Sequence, residues 1–414
     1  MSDAIDPSSS TVVVVGASLA GLRACEAFRE EGFSGRLVLV GAEGHLPYDR
    51  PPLSKEILQG KWEPDKIVLR RGGLEDLGLD YRRATRAAAL DPDARIVTLD
   101  DGEKLSYDGL VIATGARVRR LEMAEGFEGV YYLRSLDDAL ALRAALEAAA
   151  LRGAPRVAII GAGFIGCEVA SSCRQRGLDV TVIEPLAAPM VRALGRHLGG
   201  LAALLHRDNG VDMRCATTLT AIEGDGRVER LRLGDGRTLA VDVLVIGVGV
   251  MAETTWLEGS GLALEDGVLC DERCWAAPGI VAAGDVARFT SRRRGGFQVR
   301  VEHWVHAGAQ GRAAALRLLR GADGVDPYDP VPYVWTDQFG VKIQMVGFPS
   351  PDDEVHLVDG QFEEYRFVSL FARAGKLTGV VGMRRPRLVM EYQAMLEDGV
   401  TIEQALARKP TAAN

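Results

Sequence analysis

Gly161, Gly163 and Gly166 stand in the run Gly161-Ala-Gly163-Phe-Ile-Gly166, directly after the apolar stretch Arg156 to Ile160 and before a helical pattern from Cys167 to Arg176. In such a unit the first glycine permits a tight turn, the second lets backbone approach a diphosphate, and the third lets helix and strand pack closely. The phosphates then meet the positive end of the helix. Phe164 and Ile165 fill the variable places of the same turn and count among the nucleotide-binding candidates. The next strand, Asp179 to Ile183, ends at Glu184, and 184 − 166 = 18 residues past the last glycine is close to the roughly 20 expected of a carboxylate that grips a ribose. Glu184 would accept hydrogen bonds from free ribose hydroxyls and repel an extra phosphate, so NADH is favoured over NADPH. Arg192 is near enough along the chain to keep that choice open. The plainer reading of the same glycines is a structural turn.

An earlier copy of the pattern is less complete. Thr11 to Val15 is a β-branched strand, Gly16-Ala17-Ser18-Leu-Ala20-Gly21 follows, then a helix from Leu22 to Glu31 and a strand from Arg36 to Val40 leading to Glu43. Ser18 replaces the second glycine, as a small residue tolerated at a turn or as a hydroxyl for phosphate. Position gives this unit its weight: a second glycine turn comes 161 − 16 = 145 residues later, and a Gly284-Asp285 pair follows later still. Ala113-Thr114-Gly115 and Gly247-Val248-Gly249 end the apolar runs Leu105 to Ile112 and Val241 to Ile246. Each reads as a buried strand stopped where backbone must approach something closely. Asp285 would serve a cofactor or cap a following helix.

These elements need a chain long enough to hold them. With 414 residues there is room for two to three domains at about 100 to 200 residues each. The formal charge is −8 with no long basic tract, which argues against nucleic acid. No apolar run approaches the length of about 20 residues needed to cross a bilayer, and Met1 to Ser10 has no signal pattern. A cytoplasmic protein without a membrane partner is expected. The six cysteines, Cys25, Cys167, Cys173, Cys215, Cys270 and Cys274, contain no CxxC pair and read as reduced, mostly buried thiols. His303 and His306 lack metal-ligand companions; no metal is expected. From about Asp326 strand formers dominate, with a hairpin at Ala374-Gly375-Lys376 and a helix from Leu388 to Leu396. The fold class is therefore α/β, with two Rossmann-like dinucleotide-binding domains and a C-terminal α+β domain. Expected limits are 1–114 with 248–325 for the first, 115–247 for the second and 326–414 for the third.

The pieces Pro47-Tyr-Asp-Arg50-Pro-Pro-Leu-Ser-Lys55, Ala113-Thr-Gly115, Tyr132-Leu-Arg134, Gly161 to Glu168, Ala283-Gly284-Asp285, Val301-Glu-His-Trp304 and Trp335-Thr-Asp-Gln338 occur in this order. Together they resemble the FAD-dependent NADH:ferredoxin reductases of bacterial oxygenase systems, a group with the glutathione-reductase-like flavoprotein fold that includes putidaredoxin reductase and rubredoxin reductase. The resemblance spans nearly the whole chain. It implies bound FAD, with Gly16, Ala17, Ser18, Ala20 and Gly21 at its diphosphate and Glu43 at its ribose, although Ala42 stands where relatives often carry an acid. Lys55 and Glu168 are the catalytic candidates that the resemblance implies, a cation beside the reduced flavin and a carboxylate that orients nicotinamide. Arg134, Asp285 and Trp304 match cofactor-contacting positions, and Arg50 and Ala87 are included with them. Lys55 would otherwise be a solvated lysine, Glu168 a residue suited to the helix dipole, and Trp304 a core aromatic.

The implied reaction is hydride transfer from NADH to FAD followed by two single-electron transfers to an iron-sulfur ferredoxin, of the two-iron two-sulfur kind, feeding an oxygenase. A monomer or weak dimer is expected. Residues 43–55 contain no cysteine, whereas related disulfide reductases need one facing the flavin. Arg292, Arg293, Arg294, Arg300, Arg384, Arg385 and Arg387 are candidates for docking an acidic ferredoxin, or simply solvated arginines. Alternatives are a rubredoxin reductase, or a flavin-binding redox sensor or interaction module.

Overall fold

The structure is a computed structural model that describes residues 4–153 and 155–408. The outer limits of the expected first and third domains, residues 1–3 and 409–414, lie outside the described residues. Helices are labelled α1 (Leu19–Glu30), α2 (Leu136–Ala150), α3 (Phe164–Gln175), α4 (Val191–Asp208), α5 (Trp304–Arg320), α6 (Pro386–Glu397) and α7 (Ile402–Ala407). Contacts divide the chain into two compact units: Met1–Asp49, Asp65–Arg117 and Val250–Pro330 form one, and Arg50–Pro64, Val118–Gly249 and Val331–Asn414 the other.

In the first unit Thr11–Val15 lies at the centre of a sheet, parallel to Arg36–Gly41 on one side and Gly109–Ile112 on the other. Val12, Val13 and Val14 are 0 % exposed, because layers cover both faces of a parallel sheet. Ala24, Cys25 and Phe28 of α1 and Ala314, Ala315 and Leu318 of α5 share a core with Val12 and Val14. On the opposite face Leu90, Val97, Leu99 and Leu105 of a small antiparallel sheet pack with Val13 and Val15. The run from Leu105 to Ile112 is therefore two strands rather than one. Lys104–Ser106 pairs with Ile96–Leu99 in the small sheet, while Gly109–Ile112 joins the main one. Asp108 makes the break by holding Thr11 twice: its N–H donates to the Thr11 carbonyl at 2.8 Å and its carboxylate accepts the Thr11 N–H at 2.7 Å.

In the second unit Val130–Tyr131, Val243–Ile246, Arg156–Ile160, Asp179–Ile183 and Asp212–Arg214 form an all-parallel sheet. The Asp242 carboxylate pins Arg156 through its backbone N–H at 2.8 Å and its guanidinium at 2.9 Å. Tyr333–Gln338, Val341–Gly347, Lys376–Met383, Arg366–Arg373 and Glu354–Gln361 form a second, antiparallel sheet. Val389 and Tyr392 of α6 cover it, packing with Val346, Val368 and Val380. The hairpin at Ala374 and Gly375 has both residues in the left-handed region, φ 50° and 75°, the geometry that suits a two-residue turn. Glu354–Gln361 is an additional edge strand; Val355 and Leu357 are exposed there, so it carries no clear inward pattern. Residues 50–64 and 331–414 cluster with the unit of the second glycine loop, a division that differs from the expected 1–114, 248–325, 115–247 and 326–414. Side chains at 54, 55, 59 and 336 and the backbone N–H at 339 all bond to α3, which accounts for it.

Among the described residues no helix is long and apolar enough to cross a membrane. Burial pushes His206 and His303 down to about 4 and His306 to about 3. The native state then binds fewer protons than the unfolded chain between those values and 6.5, so stability falls as pH falls through that window. For His206 alone, a shift from 6.5 to about 4 corresponds to about 3 kcal/mol. Melting temperatures measured from pH 7.5 to pH 4.5 should decline, and His206→Asn should flatten that slope.

Candidate functional site

Both glycine loops have the same construction. Gly16 has φ 117°, and a Cβ there would sit 2.1 Å from the Ala113 carbonyl oxygen; Gly161 has φ 97°, with its Cβ 2.3 Å from the Gly247 carbonyl oxygen. Only glycine meets both demands. Gly21 and Gly166 crowd the carbonyls of Gly16 and Gly161 at 1.9 and 2.0 Å in the same sense, which brings strand and helix together.

Gly163 behaves differently. It is the N-cap of α3 with an ordinary φ of −74°, and a Cβ there would meet nothing within 4 Å. Protein packing does not explain the absence of a side chain. Open space before uncapped helical N–H groups fits a diphosphate that needs close backbone approach. Ser18 occupies the equivalent N-cap of α1, and its side chain makes no capping hydrogen bond.

Around the first loop, the Gly16 contact with Ala113 and a 3.0 Å approach of a Gly284 Cβ to Ala20 bring three of the motifs together. Thr114 Oγ1 donates to the Glu253 carbonyl at 2.7 Å, and the Gly115 carbonyl accepts the Glu253 N–H at 2.9 Å. Gly284 N–H donates to Gln310 Oε1 at 2.9 Å. Asp285 lies in the 3-10 turn Gly284–Val286, which runs straight into strand Ala287–Ser291, so it caps no helix. Glu43 accepts from the Tyr48 hydroxyl and Asp49 from the Trp304 indole N–H. Ala87 opens the small sheet opposite Leu99; no bond ties it to the loop motifs.

Around the second loop, Glu184 is 7 % exposed. Its carboxylate accepts the Ala162 N–H at 2.7 Å and the Leu186 N–H at 2.8 Å. Ile165 is 45 % exposed beside the loop, and Arg192 is exposed in the first turn of α4. Gly249 has φ 97° and accepts from Arg119 N–H at 2.9 Å, while Val248 packs on the adjacent core.

The same unit contains a buried ion pair. Lys55, in the π-helical turn Leu53–Ile57, places Nζ 3.0 Å from Glu168 Oε1 on α3, with side chains 13 % and 5 % exposed. The carboxylate also accepts from the Ser54 hydroxyl, the Thr336 hydroxyl at 2.8 Å and the Asp337 N–H at 3.3 Å. Arg50 donates to the Arg134 carbonyl, and Arg134 N–H donates to Asp138 at 3.0 Å. Ser54 and Thr336 carried no assigned role in the sequence; only their places inside Pro47–Lys55 and Trp335–Gln338 marked them.

The thiols are suppressed by burial, including Cys167, whose Sγ donates to the Ala162 carbonyl of the second loop at 3.5 Å. Burial pushes Cys25, Cys173 and Cys274 up to about 12 and raises Cys167, Cys270 and Cys215 as well. A thiol held that high yields little nucleophilic thiolate. Among the described residues no group of His, Cys, Asp and Glu could hold a metal ion.

Residues 10–311 match the pyridine nucleotide-disulphide oxidoreductase family and residues 333–413 the reductase C-terminal family. The chain belongs to the pyridine nucleotide-disulphide oxidoreductases, a class defined here by two dinucleotide loops. It is 37 % identical over 341 residues to the ferredoxin–NAD+ reductase component of the p-cumate 2,3-dioxygenase system of Pseudomonas putida, covering 82 % of this chain and 81 % of that one. Identity to rhodocoxin reductase of Rhodococcus erythropolis is 34 % over 402 residues, covering 95 % and 92 %. Among solved structures, the covalent putidaredoxin reductase–putidaredoxin complex matches with a TM-score of 0.90 at 29 % identity, covering 97 % of this chain and 96 % of that one.

The two kinds of glycine make opposite predictions. Gly161→Ala should lower unfolding free energy by several kcal/mol in denaturant titration, through the clash and the positive φ. Gly163→Ala should leave stability within about 0.5 kcal/mol but weaken NADH binding about tenfold or more, read by titration calorimetry.

Proposed function

We propose that this chain is an NADH-dependent ferredoxin reductase with FAD as its resident cofactor. FAD, when bound, accepts two electrons together from a nicotinamide and releases them singly to an iron-sulfur acceptor. The protein's own part is positioning and charge. Gly16, Ala20 and Gly21 present the N-terminus of α1 to the FAD diphosphate, and Gly161, Gly163 and Gly166 present that of α3 to NADH. Asp285 and Trp304 would help to hold that FAD. Glu184 exchanges its backbone N–H partners for ribose hydroxyls and disfavours NADPH. Lys55 would supply positive charge toward the bound cofactor. Glu168 balances that charge and orients the nicotinamide.

The observation that carries this reading is the Lys55–Glu168 pair, almost fully desolvated and directly behind the second glycine loop. Removing two charges from water is unfavourable unless their mutual attraction and further hydrogen bonds offset it, and charges held in this way are concentrated at functional sites. The absence of cysteine from residues 43–55 and the burial of five of the thiols leave no sulfur relay, so electrons pass to an external acceptor. Of the candidate arginines, Arg292, Arg293 and Arg294 are exposed, which gives partial support for an acidic partner. Arg292 pairs with Glu272, Arg293 binds Asp329, Arg300 pairs with Asp266 and Glu302, and Arg385 with Asp359, which offsets much of their charge. We place the chain in the cytoplasm, where buried thiols stay reduced.

Anaerobic titration of the yellow protein with NADH tests the proposal: rapid bleaching is expected, and slow bleaching with a long-lived charge-transfer band would instead indicate a sensor. Lys55→Met should slow bleaching by about 100-fold while FAD stays bound. Charge reversal across Arg292, Arg293 and Arg294 should raise the apparent KM for an acidic ferredoxin about tenfold and leave NADH-to-ferricyanide turnover unchanged. Equal loss of both activities would reject the docking role.

A further inference from the structure

Three residues with no assigned role line up behind Glu168. Thr336, Gln338 and His206 are each 0 % exposed. Thr336 Oγ1 donates to Glu168 Oε1 at 2.8 Å, Gln338 Nε2 donates to Thr336 Oγ1 at 3.1 Å, and His206 Nε2 lies 2.9 Å from Gln338 Oε1. We propose that Thr336 is a positioning residue for Glu168, and that Gln338 and His206 dictate the direction in which its hydroxyl donates. The proposal rests on the reading of Glu168 as the carboxylate that orients nicotinamide.

Donor chemistry permits one polarity for this chain. Gln338 Nε2 also faces Met190 Sδ at 3.7 Å, and a thioether only accepts. The amide nitrogen therefore points toward Met190 and Thr336, and the amide oxygen toward His206. Burial pushes His206 down to about 4, so near neutral pH it carries one ring proton, which the amide oxygen requires on Nε2. His206 Nδ1 is then the unprotonated nitrogen, and among the described residues no donor reaches it. Because Gln338 donates into the Thr336 oxygen, the single hydroxyl hydrogen of Thr336 is left for Glu168. An opposite orientation would spend that hydrogen on Gln338 and take a donor from Glu168.

The arrangement is anchored independently of the carboxylate. Phe339 N–H donates to Ser171 Oγ at 2.8 Å, and the Phe339 ring meets His206 edge-on at 5.1 Å. Ser171 lies one turn of α3 beyond Glu168, on the same face. The strand end thus docks on α3 through Ser171 while Thr336 aims at the carboxylate, and the two roles can be separated by mutation.

The test compares Thr336→Val, Thr336→Ser, Gln338→Leu, Ser171→Ala and Glu168→Gln in the flavin-loaded protein. It measures the limiting rate of anaerobic flavin reduction, the NADH concentration for half-saturation, the charge-transfer absorbance of the reduced protein with NAD+, and melting temperature. Thr336→Val should lower the limiting rate about tenfold and weaken the charge-transfer band, with half-saturation changed by less than about twofold. Thr336→Ser should restore most of the rate. Gln338→Leu, which frees the hydroxyl to turn, should cost about threefold, and it serves if Thr336→Val does not retain flavin. Ser171→Ala should lower melting temperature without slowing reduction. In a Glu168→Gln background, Thr336→Val should add less than about twofold, since the two act through one bond. The proposal is overturned if Glu168→Gln is slow while Thr336→Val matches the parent in rate and band, or if Thr336→Val and Ser171→Ala slow reduction equally. A Glu168→Gln protein as fast as the parent would overturn the reading of Glu168 itself.

Discussion

A carboxylate 4 % exposed to solvent, as Glu168 is, is tolerable only if every lone pair that water would have bonded finds another donor. Lys55 and Ser54 come from the π-helical turn Leu53–Ile57, and Thr336 and Asp337 from the end of Tyr333–Gln338. This requirement binds two remote segments to α3. Gln59 reinforces the first contact by donating to Ser172 at 3.0 Å, and Ser172 in turn donates to the Ser54 carbonyl at 2.6 Å. Residues 50–64 and the C-terminal sheet therefore cluster with the second glycine loop, even though they are distant from it in sequence.

The same side chains continue toward the nucleotide loop. Met190, whose sulfur accepts from Gln338, donates its N–H to the Ala162 carbonyl at 2.9 Å, and Ala162 donates its own N–H to Glu184 at 2.7 Å. A continuous set of contacts thus joins Glu184 to Glu168. Interiors this tightly packed transmit small displacements, so Glu184 and Glu168 share a mechanical frame.

The family takes its name from disulphide chemistry, and residues 43–55 of this chain contain no cysteine. Its thiols are core packing: Cys25 and Cys173 are fully buried within α1 and α3. The acceptor decides whether such a thiol is needed. A disulfide takes two electrons through a covalent sulfur intermediate, whereas an iron-sulfur centre takes one at a time and needs only an approach to the cofactor.

Local patterns were readable along the chain wherever one stretch of backbone determines the outcome. Val12, Val13 and Val14 had to be a doubly covered strand, and Gly16, Gly161 and Gly166 had to be glycine because the nearest carbonyls leave no room for a Cβ. Arg373 and Lys376 pair across Ala374 and Gly375 as that turn predicts. The apolar run Leu105 to Ile112 does not reveal that Asp108 will hold Thr11 and split it. Amino-acid order alone therefore determined two dinucleotide loops, their helices and the missing thiol, all of which depend on sterics within a few residues. Tertiary structure alone decided that Ser54, Lys55 and Thr336 meet on Glu168 and that His206 stands behind them. Those contacts span separations of 113 to 168 residues, and a buried charge selects its donors by proximity in space, which no spacing along the chain encodes.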